Sequence, residues 1–399
     1  MKRMIASRHV ITIGVAIALL AGCGGSQPPV DVPGMIPQAA QSHALRVANV
    51  APSFRVLYEF RGRGDGALPF GRLVDVGGLL YGVAGSGKQN GGLVFVVAPS
   101  GEERVLWYPK DGVGPGNLTA LHRTLYGTTR STVFSLSLTG VERTLYNFGK
   151  DVNPSALLIS ANRTFHGTAF PFGRDRPSTG SIFRIHSGVE RALYTFRGSS
   201  QGAYPLSLLY LNGTFYGTTY GGGANDDGTV FALSPAGALR VVHSFGGGND
   251  GSGPGGGLIA VDGVLYGTTE DGGSGHHCRS VTGPPLYFGC GTIYSVTPSG
   301  KEHVLYNFQN GADSSGPSGN LIDVAGTLYG TAVGDTFYVV GGSVFSITPA
   351  GVFHVLHTFS GSKDGANPTG GLTELNGTLY GTTQGGGKYY KGTVFRLQL

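Results

Sequence analysis

The sequence predicts an all-β fold: a seven-bladed β-propeller of four-stranded antiparallel blades, its ring closed by the N-terminal strand completing the last blade. Three observations carry this. A short element, Leu-Tyr-Gly in its commonest form, occurs seven times, centred on Tyr81, Tyr126, His166, Tyr216, Tyr266, Tyr329 and Tyr380. Tight Asn-Gly or Asp-Gly links precede several copies, at 212–213, 262–263 and 376–377. The last copy lacks one strand, and the start of the repeat region holds one strand too many.

Each element of the unit has strand character. The Leu-Tyr-Gly element is followed by LVFVV at 93, TVFSL at 132, SIFRI at 181, TVFAL at 229, TIYSV at 292, SVFSI at 343 and TVFRL at 393. A third element also comes in seven copies, from VLYEF at 56 to VLHTF at 355. All are rich in β-branched and aromatic residues and are bounded by Gly, Pro, Asn or Ser, which is the composition of strands. A fourth strand, such as 371–375, precedes each Leu-Tyr-Gly element and turns into it through the two-residue link. Asn-Gly between alternating strands is a strong hairpin signal, since both positions take positive φ. No helical period is present.

The order of the elements decides the closure. The strand at 55–60 belongs to the third, outermost element but has no partners before it, while the last unit stops at Leu399 one strand short. Such an exchange joins the two ends of a ring, whereas a straight β-solenoid has no use for it. Within the LYGTT element, Leu and Gly face one way and Tyr the other. The glycine is expected to leave a flat place for a neighbouring blade's aromatic ring, with Tyr filling the gap between blades.

Residues 1–22 are read as an export signal: Lys2, Arg3 and Arg8 precede a short apolar run that ends in Leu20-Ala21-Gly22-Cys23. The run is too short to span a membrane. Its closing residues resemble the bacterial lipobox, which makes Cys23 the expected lipid attachment point; Gly24 beside it, not Asp, favours the outer membrane of a two-membrane envelope. Residues 23–53, rich in Pro, Gly, Ser and Gln, form a flexible tether, and residues 54–399 form the propeller. In an exported chain the remaining pair, Cys278 and Cys290, is expected to be a disulfide. A metal site with His276 and His277 is the alternative, at a spacing that fits no common zinc pattern.

Composition excludes one class of partner. Only 13% of the residues are charged, the net charge is +5, and no basic run alternates with aromatics, so nucleic-acid binding has no support. Glycine, at 72 of 399 residues, is in excess because the repeat requires it.

The pattern LYGTT…GG…GTVF resembles the tandem GloVer repeats of bacterial exported proteins, which carry assorted anchors. The resemblance covers residues 54–399 and implies a propeller, but it lends no activity, since the family has none assigned. The period also resembles kelch, yet kelch blades each carry a Trp and this chain has one, Trp107.

A site is expected on the face that bears the loops of variable length, since variable loops on a rigid scaffold carry binding residues. These loops display Phe170, Phe172, Tyr220, Tyr287, Phe288, Tyr338, Tyr389 and Tyr390, with Asp226, Asp227, His276 and His277 beside them. At the mouth of the axial channel the first strands present Arg72, Asn117 and Asn320, and no carboxylate or histidine. A hydrolase or lyase needs a positioned acid and base, so the expected role is a monomeric binding module for a glycan or an envelope protein, held to the membrane by its lipid alone and needing no cofactor. The alternative is a propeller enzyme (polysaccharide lyase, glycosidase or lactonase) with acid and base drawn from Asp226, Asp271, His276 or His277. The recurring Asp-Gly-x-x-Pro between blades, as at 65–69, 250–254 and 364–368, is turn chemistry. Calcium bridging needs about 6–8 oxygens, and each such loop offers one or two carboxylates.

Overall fold

A computed structural model describes residues 52–399, apart from 63, 88–90, 110–113, 150–151, 160–163, 172–177, 276–277, 279–288 and 335–340. The described chain is all-β: seven antiparallel sheets arranged as the blades of a propeller, numbered one to seven from the blade that begins at Ala67. Blade seven is built from Thr373–Leu375, Thr378–Thr383, Thr393–Gln398 and, as its outermost strand, Ser53–Glu59. The N-terminal strand lies antiparallel to the C-terminal one, Ser53 opposite Gln398 and Glu59 opposite Thr393. The ring is thus closed by hydrogen bonds between the two ends of the repeat region. The predicted hairpin links are present, with positive φ at both Asn212 and Gly213, Asp262 and Gly263, and Asn376 and Gly377.

The motif glycine serves a different neighbour from the one expected. In every blade it stands opposite the aromatic residue of the third strand of its own blade, as Gly82 opposite Phe95 and Gly381 opposite Phe395. A β-carbon on Gly82, Gly217 or Gly381 would lie 2.4 Å from the Cζ of Phe95, Phe231 or Phe395 respectively. Gly127, Gly167, Gly267 and Gly330 meet Phe134, Phe183, Tyr294 and Phe345 in the same way. Antiparallel pairing puts opposite residues on one face, so the ring folds back across its own sheet instead of reaching to the next.

The motif tyrosine does sit between blades. Tyr81 of blade one packs with Leu125 and Phe134 of blade two, Tyr266 of blade five with Leu328 and Phe345 of blade six, and Tyr380 of blade seven with Leu80 and Phe95 of blade one. An aromatic at the end of the outer strand completes the seam edge-on in all blades but one: Phe60 meets Phe95, Phe196 meets Phe231, Phe245 meets Tyr294 and Phe308 meets Phe345, with centroids 5.0–5.5 Å apart. Edge-to-face pairs at this range add about 0.5–1.5 kcal/mol beyond burial. Blade one has Pro109 at this position, and Trp107 packs on Phe134 there instead, 4.9 Å away.

Every outer strand carries a bulge at one place. Pairing skips a residue between Val94 and Phe95, Val133 and Phe134, Ile182 and Phe183, Val230 and Phe231, Ile293 and Tyr294, Val344 and Phe345, and on the N-terminal strand between Val56 and Tyr58. A bulge re-aims the side chain beside it, here the Tyr or His that follows, or Trp107 in blade one, which turns toward the inter-blade seam. The second threonine of the motif also has a partner. Thr219 and Thr229, Thr269 and Thr292, and Thr383 and Thr393 pair their buried hydroxyls at 2.8–2.9 Å, locking the second strand to the third. Cys278 and Cys290 form a disulfide.

The axial cavity and the loop-side rim

First strands from all seven blades enclose an axial cavity of about 380 Å³. Arg72, Asn117 and Asn320, predicted to stand at the channel mouth, all line it, with Leu208, Gly257 and Gly371 at matching positions in their blades. Among the described residues Arg72 is the only charged one in the lining. Its side chain keeps exposed surface in the cavity but is flanked by protein, and this burial lowers its affinity for its proton. Its Nε donates to Thr373 Oγ1 at 3.4 Å, across the seam where the ring closes; no other protein acceptor takes its guanidinium N–H groups among the described residues. Asn320 Oδ1 accepts from Gly257 N at 2.6 Å, and so ties blade six to blade five. The Ser318 and Thr369 hydroxyls also belong to the lining and have no hydrogen-bond partner in the protein. Buried polar groups are normally satisfied, so these two hydroxyls are exceptions within the lining.

The rim on the loop side joins the predicted Phe170 and Tyr220 to residues that the sequence reading passed over. One set follows the LYGTT core directly: Gly85, Arg130, Phe170, Tyr220, Glu270, Val333 and Gln384. The signal was visible, because this is the one position of the motif that never repeats. Arg130 joins Phe70 and Asn153 around a second cavity of about 370 Å³ between the first three blades, and Tyr220 lies against Gly253 of the next blade. Glu270 lies against Gly255, itself part of the axial lining. Burial, and then the neighbouring Asp271, push Glu270 up to about 7; burial alone pushes Asp271 up to about 6. A second set precedes the loop prolines in the left-handed region: Leu68 at φ 55°, Tyr204 at 60° and Asn367 at 55°. Leu68 and Tyr204 are nonetheless 48% and 52% exposed. Bulky residues avoid this conformation, so Leu68 and Tyr204 are two strained side chains left exposed on this rim.

The remaining predicted residues are dispersed. Asp226 Oδ1 accepts from Gly222 N at 2.7 Å and Asp227 Oδ1 from Ser252 Oγ at 2.8 Å, so both shape the blade-four loop and brace it on blade five. Tyr389 and Tyr390 are exposed on the blade-seven loop, with Lys388 Nζ 5.5 Å from the Tyr389 ring. Phe170 ends the second strand of blade three, opposite Asn153. Cys23, Phe172, His276, His277, Tyr287, Phe288 and Tyr338 lie outside the described residues. The Asp-Gly-x-x-Pro acids hold turns: Asp65 accepts from Arg61 N, Asp250 from Gly246 N, Asp313 from Gln309 N and Asp364 from Ser360 N, at 2.7–3.0 Å.

Solved structures similar to this chain are propellers of low identity. A streptogramin B lyase matches with a TM-score of 0.59 at 13% identity, covering 87% of this chain and 98% of that one. Virginiamycin B lyase from Staphylococcus aureus matches with 0.59 at 15%, covering 87% and 99%. The Pan2 WD40 domain of Neurospora crassa matches with 0.53 at 9%, covering 86% and 95%. Likeness at this identity shows the fold alone. The chain matches no curated protein sequence. The repeat itself is more telling: over residues 114–281 and 283–399 the chain fits the Gloeobacter/Verrucomicrobia repeat, and it belongs to that family.

Proposed function

We propose that the chain is a lipid-anchored envelope protein whose propeller binds an acidic glycan, presented to the axial cavity. The single observation behind this reading is the cavity lining: one cation, Arg72, among the amides of Asn117 and Asn320 and the unpartnered hydroxyls of Ser318 and Thr369. A guanidinium with free donors suits a carboxylate or sulfate, and the amides and hydroxyls suit sugar hydroxyls. Exposed Leu68 and Tyr204 on the loop-side rim offer apolar contact to a sugar face. The test is a glycan array with the chain freed of residues 1–22, followed by calorimetry on the hits. Arg72→Gln should weaken binding of an acidic glycan by about tenfold or more, the value of a charge-assisted hydrogen bond. Silence on the array, or unchanged affinity in the variant, refutes the reading. For the anchor, Cys23→Ser should move the protein from the membrane to the soluble fraction.

A second reading, a propeller lyase or hydrolase, is favoured by Glu270, a carboxyl that burial raises to about 7, in the range of a general acid or base. Turnover of a polysaccharide that is lost in Glu270→Gln, with binding kept, would establish it.

A further inference from the structure

A different place on the ring carries a cluster that neither the cavity nor the rim explains. The outer strands of adjacent blades meet in a recurring arrangement. The residue re-aimed by the bulge in one blade reaches a side chain seven positions later in its own loop, and faces the start of the next blade's outer strand. Where blade seven meets blade one these are Tyr58, Asp65 and Glu103, with the Tyr58 hydroxyl donating to Asp65 at 2.7 Å. Where blade five meets six, Tyr306 donates to Asp313 at 3.1 Å and stacks on Phe353 at 3.7 Å. Where six meets seven, His357 Nε2 lies 3.2 Å from Asp364 and stacks on Phe54 at 3.6 Å.

Only the seam between blades four and five, among the described residues, joins a histidine to two carboxylates. His243 Nε2 lies 3.0 Å from Asp250 Oδ1, and Glu302 of blade five enters from the far side. One donor atom from each of the three residues falls within 4.8 Å of the other two. Glu302 Oε1 is enclosed and has no hydrogen-bond partner in the protein. A carboxylate oxygen shut from water beside a second carboxylate is costly unless a proton or a cation meets it.

We propose that His243, Asp250 and Glu302 form a divalent transition-metal site that clamps the outer strands of blades four and five. One imidazole nitrogen and two carboxylate oxygens, with water completing the shell, are a zinc-type donor set. Calcium, which takes about 6–8 oxygens, does not fit it. Zinc bonds of about 2.0–2.2 Å place tetrahedral donors about 3.4 Å apart, so the present spread closes by small rotations of the half-buried His243 and Glu302.

The test is zinc chloride titrated into the chelator-treated chain, read by calorimetry and by thermal unfolding. One equivalent should bind and raise Tm. Glu302→Gln and His243→Gln should each weaken the affinity by at least the roughly tenfold that losing even an outer-shell partner costs. His357→Gln, which alters the equivalent pair where Phe54 replaces the second carboxylate, should leave it unchanged, as should the double change His276→Gln and His277→Gln. Glu302 opens its strand and is only half-buried, and Gln keeps its volume, so this arm stands even where His243→Gln folds poorly. No zinc binding at 100-fold excess, or parental affinity in Glu302→Gln, overturns the site. Neither result bears on Arg72 or the axial cavity.

Discussion

Gly381 and Phe395 are cross-strand partners in blade seven, and a β-carbon on the glycine would lie 2.4 Å from Phe395 Cζ. The same contact, made in all seven blades, explains why the motif glycine repeats. Gly381→Ala should therefore destabilise the protein by about 1–3 kcal/mol, the usual cost of overpacking. Phe395→Leu shortens the ring that the new methyl would strike, so the alanine should cost less in that background. A double-mutant cycle by denaturant unfolding reads the coupling; strictly additive effects would break the pairing argument.

His166 fills, between blades three and four, the place that tyrosine holds elsewhere, with its ring 4.7 Å from Phe215. Burial, aided by Arg184, pulls its pKa down from 6.5 to about 4. The unfolded chain therefore takes up a proton first, so stability is full above about pH 6.5 and is lost as pH falls toward 4. With the partial exposure of the ring, the loss attributable to it is about 1–2 kcal/mol. His166→Tyr should flatten the acid limb of a stability–pH profile, with little change at pH 8. A parental slope in the variant would assign the acid limb to other groups.

Ring closure depends on Ser53–Glu59, the only strand among the described residues that joins the two ends of the propeller. Deleting 53–60 strips the Thr393–Gln398 strand of its outer partner and removes Phe60 from the seam with Phe95. We expect Tm to fall by about 10 °C or more, the scale of several kcal/mol. A synthetic peptide of residues 52–61 added in trans should recover part of the loss. Unfolding identical to the parent would show that the ring holds without its clasp.

Tyr204 keeps φ at 60° while half its side chain is exposed. Tyr204→Gly releases this strain, which costs about 1–2 kcal/mol in the left-handed region, against a chain-entropy cost of about 0.5–1 kcal/mol. The variant should be as stable as the parent or slightly more so, and should bind the axial ligand less well. A marked loss of stability would place Tyr204 in packing.

Much of the fold was legible because the repeat states it seven times. Strand identity came from β-branched and aromatic runs, the hairpins from links such as Asn376-Gly377, and the closure from the displaced strand at 55–60. The rest was hidden for physical reasons. Whether Gly381 serves its own blade or the next depends on register, which two strands only acquire together. Arg72, Asn117 and Asn320 could be set at equivalent places in three blades, but their meeting around one cavity is a product of the ring. Asp226 and Asp227 looked like a site as adjacent acids; hydrogen bonds to Gly222 and Ser252 show them holding a loop.

The sequence by itself determined the unit, its sevenfold count and the exchange that closes the circle, since each is written in local propensity and order along the chain. Only the tertiary structure decided which side chains from different blades face one another. His243 and Glu302 stand 59 positions apart, and nothing local in either strand names the other. They meet because a bulge turns His243 into the seam and ring closure fixes the distance between neighbouring outer strands.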